Sequence, residues 1–294
     1  MPTYPFTLID VFAERPLEGN LLAVIDDADT LDDVTMATIA RRMRLSETSF
    51  IQTSTSQTAD YRHRIFVVEG EIPFAGHPSL GTAAVWARRQ GADSAEYVQQ
   101  TISGEQRLKV ELRESSGNVT IWQNAASFGE IIDGSPILEA LGLTTGDRHL
   151  VLRPQVMSTG LPTLVVPIDD TERLGAILMD TSRLAEAMPV LDDGSKPLTC
   201  YVVAEEAAGE WRARSFGADL AGGEDPATGS AAGAFGAYLA QYLGIHRFAI
   251  RQGIEMGCPS RLYVDTTAGI TVNGEVQFVG EGVLSLPDEG QDAD

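Results

Sequence analysis

Apolar and polar positions alternate with period two over residues 6–12 and 21–25, which reads as two strands joined by a turn around Pro16–Gly19. Over residues 30–43 the period changes to that of a helix. Asp29 or Thr30 can cap it, Asp32 and Asp33 fall in its first turn, and Arg41 and Arg42 fall in its last, where each charge suits the helix dipole. Strands return at 48–53 and 61–67. A helix at 78–89 stops at Gly91, and strands near 97–101, 108–114 and 118–122 complete a first domain, residues 1–125.

The second domain, residues 126–290, repeats this order. A short helix near 136–141 precedes strands near 148–156 and 163–167, and a helix at 181–188 precedes strands at 198–203 and 211–216. The long helix 230–243 ends at Gly244. Strands at 248–252, 261–266, 270–273 and 276–286 finish the pattern, and the last of them can equally complete the first domain's sheet. The repeat is visible in the residues themselves. The segment EIPFAGHP at 71–78 lies over EDPATGSA at 224–231 without a gap, and the same offset sets Glu47 on Cys200. An offset of about half the chain fits duplication of a whole domain better than a solenoid, whose repeats are shorter.

Composition narrows the possibilities. With 294 residues, 43% of them apolar, the chain can build two ordinary cores. No apolar run approaches the roughly 20 residues of a membrane span, and the N-terminus has no basic-then-apolar signal, so a cytoplasmic location is expected. The net charge is −21, and all but two of the 21 basic residues are arginine. A field of that sign repels nucleic acid and anionic membrane, so neither is an expected partner. Cys200 and Cys258 have no C-x-x-C spacing, and with four histidines no metal cluster is visible; no metal or cofactor is expected. The acidic residues 288–294 read as a frayed tail.

The chemistry concentrates in the two repeated segments. In each, an acidic residue and a proline lead through a glycine, Gly76 or Gly229, into an apolar helix whose first-turn N–H groups have no internal partner. Two such starts facing each other would hold a small carboxylate without a basic patch. His77 and Ser230 stand at the two helix mouths; Ser230 also reads as an ordinary helix cap, and the His77 ring can simply satisfy a carbonyl. Glu47 enters an apolar strand. Beside an apolar wall its carboxyl would exchange a proton near neutrality, whereas a lone Glu at a strand start commonly faces water. Asp225 can orient a substrate amine or hydroxyl, or bond to its own turn. No Walker sequence, G-x-S-x-G elbow, H-E-x-x-H or dinucleotide fingerprint is present, which leaves proton movement within a small molecule as the expected chemistry.

Taken in order, DVFA at 10–13 with Gly19 and Asn20, SETSF at 46–50, GEIPFAGHP at 70–78, LPTL at 161–164, GEDPATGSAA at 223–232 and QGIEMG at 252–257 make the chain resemble the PhzF family of phenazine-biosynthesis-like isomerases. The resemblance implies an α+β, diaminopimelate-epimerase-like fold: two pseudo-symmetric domains, each a curved, barrel-like mixed sheet around a central helix, with the site between them. It also implies a cofactor-independent homodimer that moves a proton within a small carboxylic acid, cyclic in the family's phenazine member. By the same resemblance Glu47 is the general acid/base, His77 and Asp225 are the other catalytic residues, and Asn20, Gly76, Gly229 and Ser230 bind substrate. Related epimerases use two cysteines immediately before the two glycines; here Ala75 and Thr228 stand there, which disfavours a two-thiol mechanism. The alternative is a non-catalytic small-molecule-binding or interaction protein on the same scaffold, which a solvent-facing Glu47 would favour.

Overall fold

A computed structural model describes residues 1–217, 220 and 223–286; the expected acidic tail lies outside them. The chain begins with β1 (Thr3–Val11), β2 (Asn20–Ile25), α1 (Asp33–Met43), β3 (Thr48–Gln52), β4 (Tyr61–Phe66), β5 (Glu71–Ile72) and α2 (Gly76–Arg89). Three long strands follow, β6 (Ser94–Thr101), β7 (Gly104–Leu112) and β8 (Ser116–Trp122), and then β9 (Ser127–Ile131), α3 (Ser135–Ala140), β10 (Gln155–Ser158) and β11 (Pro162–Pro167). Next come α4 (Thr171–Gly175), α5 (Thr181–Ala187), β12 (Thr199–Ala207), β13 (Glu210–Phe216), β14 (Glu224–Asp225) and α6 (Gly229–Leu243). The described chain finishes with β15 (Arg247–Gln252), β16 (Ser260–Asp265) and β17 (Thr271–Ser285).

Strand pairing closes a mixed barrel of eight strands. β1 pairs with β2, β3 with β4, β6 with β7 and β7 with β8, all antiparallel, while β2–β3 and β4–β6 are parallel. β17 shuts the ring by pairing with β8 through its first half and with β1 through its second. Inside lies α2, which touches every one of these strands. Its small residues allow this: a Cβ at Gly81 would sit 2.7 Å from Leu22 Cδ2, and Ala83, Ala84 and Ala87 are fully buried. Around α6 the same succession recurs, with β10–β11, β12–β13 and β15–β16 antiparallel and β11–β12 and β13–β15 parallel. The fold is therefore the expected α+β double-domain architecture.

The two sets of strands are also laced together. β8 is followed by β9, which pairs with β10 of the second set, and the first half of β17, paired with β16, runs on into the half that pairs with β1. Each set thus lends a strand to the other. One continuous apolar core accordingly includes residues of both central helices, among them Leu80, Ala83, Phe235 and Leu239.

Several elements differ from the sequence pattern for identifiable reasons. α1 starts at Asp33 because the Asp32 side chain accepts the Thr35 N–H; residues 28–30 form a separate turn. The strand expected over 148–156 shrinks to β10, since His149 Nδ1 accepts the N–H groups of Val151 and Leu152 and turns the chain, leaving Leu150 and Val151 exposed. β9 carries no buried residue and so shows no alternation to read. The two strands expected over 270–273 and 276–286 are one, β17. Gly274 in its middle is no turn: a Cβ there would lie 2.2 Å from Phe12 Cδ1, so the glycine is a socket for a buried ring. Phe12 itself holds a left-handed backbone, φ 61°. Gly274→Ala is expected to lower stability by roughly 1–3 kcal/mol through overpacking, read as a shift of the urea midpoint with an unchanged slope.

Candidate active site

The two central helices begin against each other. A Cβ at Gly76 would stand 2.7 Å from Gly229 Cα and 2.7 Å from Ser230 N, so only glycine permits this approach. Neither helix has a side-chain cap, because Ala75 and Thr228 occupy the cap positions without a capping hydrogen bond. Two sets of free first-turn N–H groups, each at the positive end of a dipole, therefore converge. Among the described residues no Lys or Arg lines the cleft they open into. Ile72, Leu161, Leu198, Leu220, Val67 and Val68 give it apolar walls, with the acidic Glu69 and Glu224 also on its lining.

A chain of polar side chains crosses this contact. Asn20, at the start of β2, donates from Nδ2 to Asp225 Oδ1 at 2.8 Å and lies 3.2 Å from His77 Nδ1. A carboxylate and the nearby Ala227 carbonyl can only accept, so this atom is the amide nitrogen, and its second hydrogen serves His77 Nδ1. Nδ1 is then the acceptor, and the neutral ring carries its proton on Nε2. That nitrogen faces Glu47 Oε2 at 3.5 Å, too long for a good hydrogen bond, and both atoms are buried without another partner.

Burial sets the protonation states. His77 is pushed down to about 3, by burial first and by the neighbouring His63 second, so its ring is neutral. Glu47 is raised well above the ordinary carboxyl range by burial and then by the negative charge of Asp225. Asp225 is raised to about 6 by burial, against the hydrogen bonds from Thr228 and Asn20. The contact between Glu47 and His77 is therefore no ion pair at neutral pH but a protonatable acid facing a neutral imidazole. Behind Asp225, Gln252 Nε2 donates to its carbonyl at 2.8 Å and to Thr228 Oγ1 at 3.0 Å, and Tyr201 braces the Gln252 carbonyl.

All seven residues singled out in the sequence, Asn20, Glu47, Gly76, His77, Asp225, Gly229 and Ser230, lie along this chain or line the cleft beside it. The repeat register needs one correction. Thr48 pairs with Phe66 as Cys200 pairs with Phe216, so the counterpart of Glu47 is Thr199, not Cys200. By the same ladders Leu161 is the counterpart of Asn20, and Ile72 of Asp225. The chemistry is thus unequal across a symmetric frame. Sequence reading gave no site role to Gln252, Tyr201 or Thr228, although Gln252 opens QGIEMG and Thr228 stands where related epimerases have a cysteine, and it passed over the buried His63, which bonds to Ser49 and Gln99. Among the described residues no cluster of His, Cys, Asp or Glu could hold a metal ion, and no helix is long and apolar enough to cross a membrane.

A barrel pair with this head-to-head helix contact defines a diaminopimelate-epimerase-like enzyme of the isomerase class. The phenazine biosynthesis-like PhzC–PhzF family matches residues 9–286, and the chain belongs to that family. It is 31% identical to the trans-2,3-dihydro-3-hydroxyanthranilate isomerase of Pseudomonas aeruginosa, over 94% of this chain and 98% of that one. Among solved structures it is similar to a protein described as a predicted epimerase of Pseudomonas aeruginosa, with TM-score 0.84 and 35% identity over 97% of this chain and all of the other. A PhzF-family protein of Bacillus anthracis superposes with TM-score 0.81 at 25% identity, covering 97% of this chain and all of its own.

The raised carboxyls give a signed pH effect. Folded Glu47 keeps a proton that the unfolded chain releases, so its contribution to stability is full below the ordinary carboxyl range and is lost as pH rises toward its folded value. Glu47→Gln cannot ionise. Relative to wild type it is expected to gain stability progressively as pH rises above the ordinary carboxyl range, measured by urea unfolding of both proteins at each pH; a constant difference would show that Glu47 is not held protonated.

Proposed function

We propose that the chain catalyses proton transfer between carbons of a small carboxylic acid, with Glu47 as general acid and base. The observation that carries this reading is the unpartnered, buried Glu47 Oε2 opposite the equally unpartnered His77 Nε2, at the floor of an apolar cleft. A group in that state can give or take a proton without first breaking a hydrogen bond, and its raised proton affinity matches work near neutrality.

In this reading the substrate carboxylate accepts hydrogen bonds from the amides at the starts of α2 and α6, beside Ser230, whose hydroxyl has no partner among the described residues. Ionised Glu47 takes a proton from a substrate C–H, and the electron pair left behind moves into the adjoining unsaturated system. The Glu47 carboxylic acid then returns the proton to a different carbon, so nothing is gained or lost. His77 donates from Nε2 to whichever oxygen bears charge in between. Asn20 acts on His77 and Asp225 rather than on substrate, because its amide hydrogens are spent on them. Asp225 is left to accept from a substrate amine or hydroxyl.

The apolar wall suits a small ring or an unsaturated chain. The relative's printed substrate, trans-2,3-dihydro-3-hydroxyanthranilate, is the first compound to offer. The proposal includes a homodimer in the cytoplasm, supported by the exposed β9 side chains Phe128 and Ile131, which self-association would cover.

Substrate is incubated in deuterated buffer and followed by NMR. Wild type is expected to place deuterium at a ring carbon, and Glu47→Gln to slow this by about 10²–10⁴-fold. Equal exchange by both proteins would remove Glu47 from the reaction. Asn20→Leu is expected to release the His77 ring from one tautomer, read as a change in its ¹⁵N shifts, with a fall in turnover larger than any loss of substrate affinity.

A further inference from the structure

Two arginines hold the short strands that lead into the glycine turns. On β4, Arg64 donates from Nε and Nη2 to Glu71 at 2.7 and 2.6 Å. On β13, Arg214 donates from the same two nitrogens to Glu224 at 2.8 and 2.7 Å. Each guanidinium also covers the ring of the phenylalanine two residues on, Phe66 at 5.3 Å and Phe216 at 4.8 Å. Both arginine side chains are almost enclosed, 8% and 9% exposed. The ladders agree, since Arg64 faces Phe50 on β3 and Arg214 faces Val202 on β12 at corresponding places. These are two copies of one clamp.

Their surroundings differ in one respect that bears on chemistry. The residue after Glu71 is Ile72, whereas the residue after Glu224 is Asp225. Arg64 spends its remaining nitrogen on Asp33, and Arg214 spends its own on the carbonyls of Leu174 and Ile177 at the end of α4. Glu224 therefore depends on Arg214 for its counter-charge.

We propose that Arg214 is a positioning residue for Asp225: through Glu224 it fixes β14 in register and cancels the negative charge next to the site, while Arg64 performs only the architectural half of that task. The titratable groups facing Asp225 are Glu47 just before β3, Tyr201 from β12 and, through Asn20, His77 from α2, with Glu224 beside it on β14. None of these supplies a positive charge at neutral pH. A bare Glu224 carboxylate would add a like charge at close range, which opposes ionisation of Asp225 and hence its use as an acceptor. The duplicated clamp is the internal control, because loosening either should disturb packing alike. The inference rests on reading Asp225 as part of the site, but its test needs no turnover, so failure of the deuterium exchange above would leave it standing.

Carboxyl ¹³C resonances of protein labelled at aspartate report the titration, and Asp225→Asn identifies the relevant signal. In Arg214→Met the Asp225 midpoint is expected to rise by roughly one pH unit. In Glu224→Gln, which leaves the guanidinium unopposed, it should fall. The double variant should return near the wild-type midpoint, and Arg64→Met should leave it unmoved. Midpoints that shift the same way in Arg214→Met and Glu224→Gln, or that shift as far in Arg64→Met, would overturn the proposal, because general loosening predicts that result. If Arg214→Met does not fold, a fall in Glu224→Gln reversed in the double variant supports the proposal, and any other pattern overturns it.

Discussion

The contact between Gly76 and Gly229 is the constraint on which the rest depends. Two helices buried in two barrels point their positive ends at each other with no side chain between them. That arrangement is unfavourable in itself, and it is held by what surrounds it: α2 is gripped by eight strands, and β9 and β17 each cross to the opposite set of strands. The scaffold thereby maintains an electrostatic demand for an anion at one place, and it does so with backbone groups alone. In the proposed reading, a strongly acidic chain holds a carboxylate with no lysine or arginine among the described residues of the cleft.

The same enclosure governs the side chains. Desolvation is the first cause of the shifts at Glu47, His77 and Asp225, and it moves acids and imidazole in opposite directions. Near neutrality both kinds of group therefore tend toward their uncharged forms, and the Asn20 amide fixes which face of His77 is the donor. Stability is given up for this. An unpaired buried carboxyl is expensive to ionise, and two polar atoms are left unmatched where a structural core would have paired them.

Symmetry and its breaking complete the picture. The frame repeats faithfully, down to an Arg–Glu clamp and a phenylalanine beneath each guanidinium. The functional groups do not repeat: Asn20, Glu47 and His77 come from one copy, Asp225 from the other, with Leu161, Thr199, Ser230 and Ile72 at the corresponding places. In the proposed reading the first copy supplies the proton-transferring groups and the second one acceptor, on a geometry that duplication provides.

Local pattern was enough to reveal most of the strands and helices, the duplication and the two glycine turns, because each is written in near-neighbour chemistry: period two, period 3.6, and a glycine where a chain must come close; the short β5, β9, α4 and β14 left no such trace. The resemblance carried by SETSF, GEIPFAGHP and GEDPATGSAA pointed to candidate residues that the fold brings together around one cleft. Only the tertiary structure decided the rest. Seven residues separate β13 from β14 against four between β4 and β5, so a gapless alignment carried across that difference misplaces Arg64 against Arg214 and hides the clamp. That β17 is one strand shared by both sets depends on a ring 262 residues earlier filling the place of a missing Cβ. The proton affinity of Glu47 likewise depends on how completely distant segments exclude water from it, a quantity no single stretch of sequence contains.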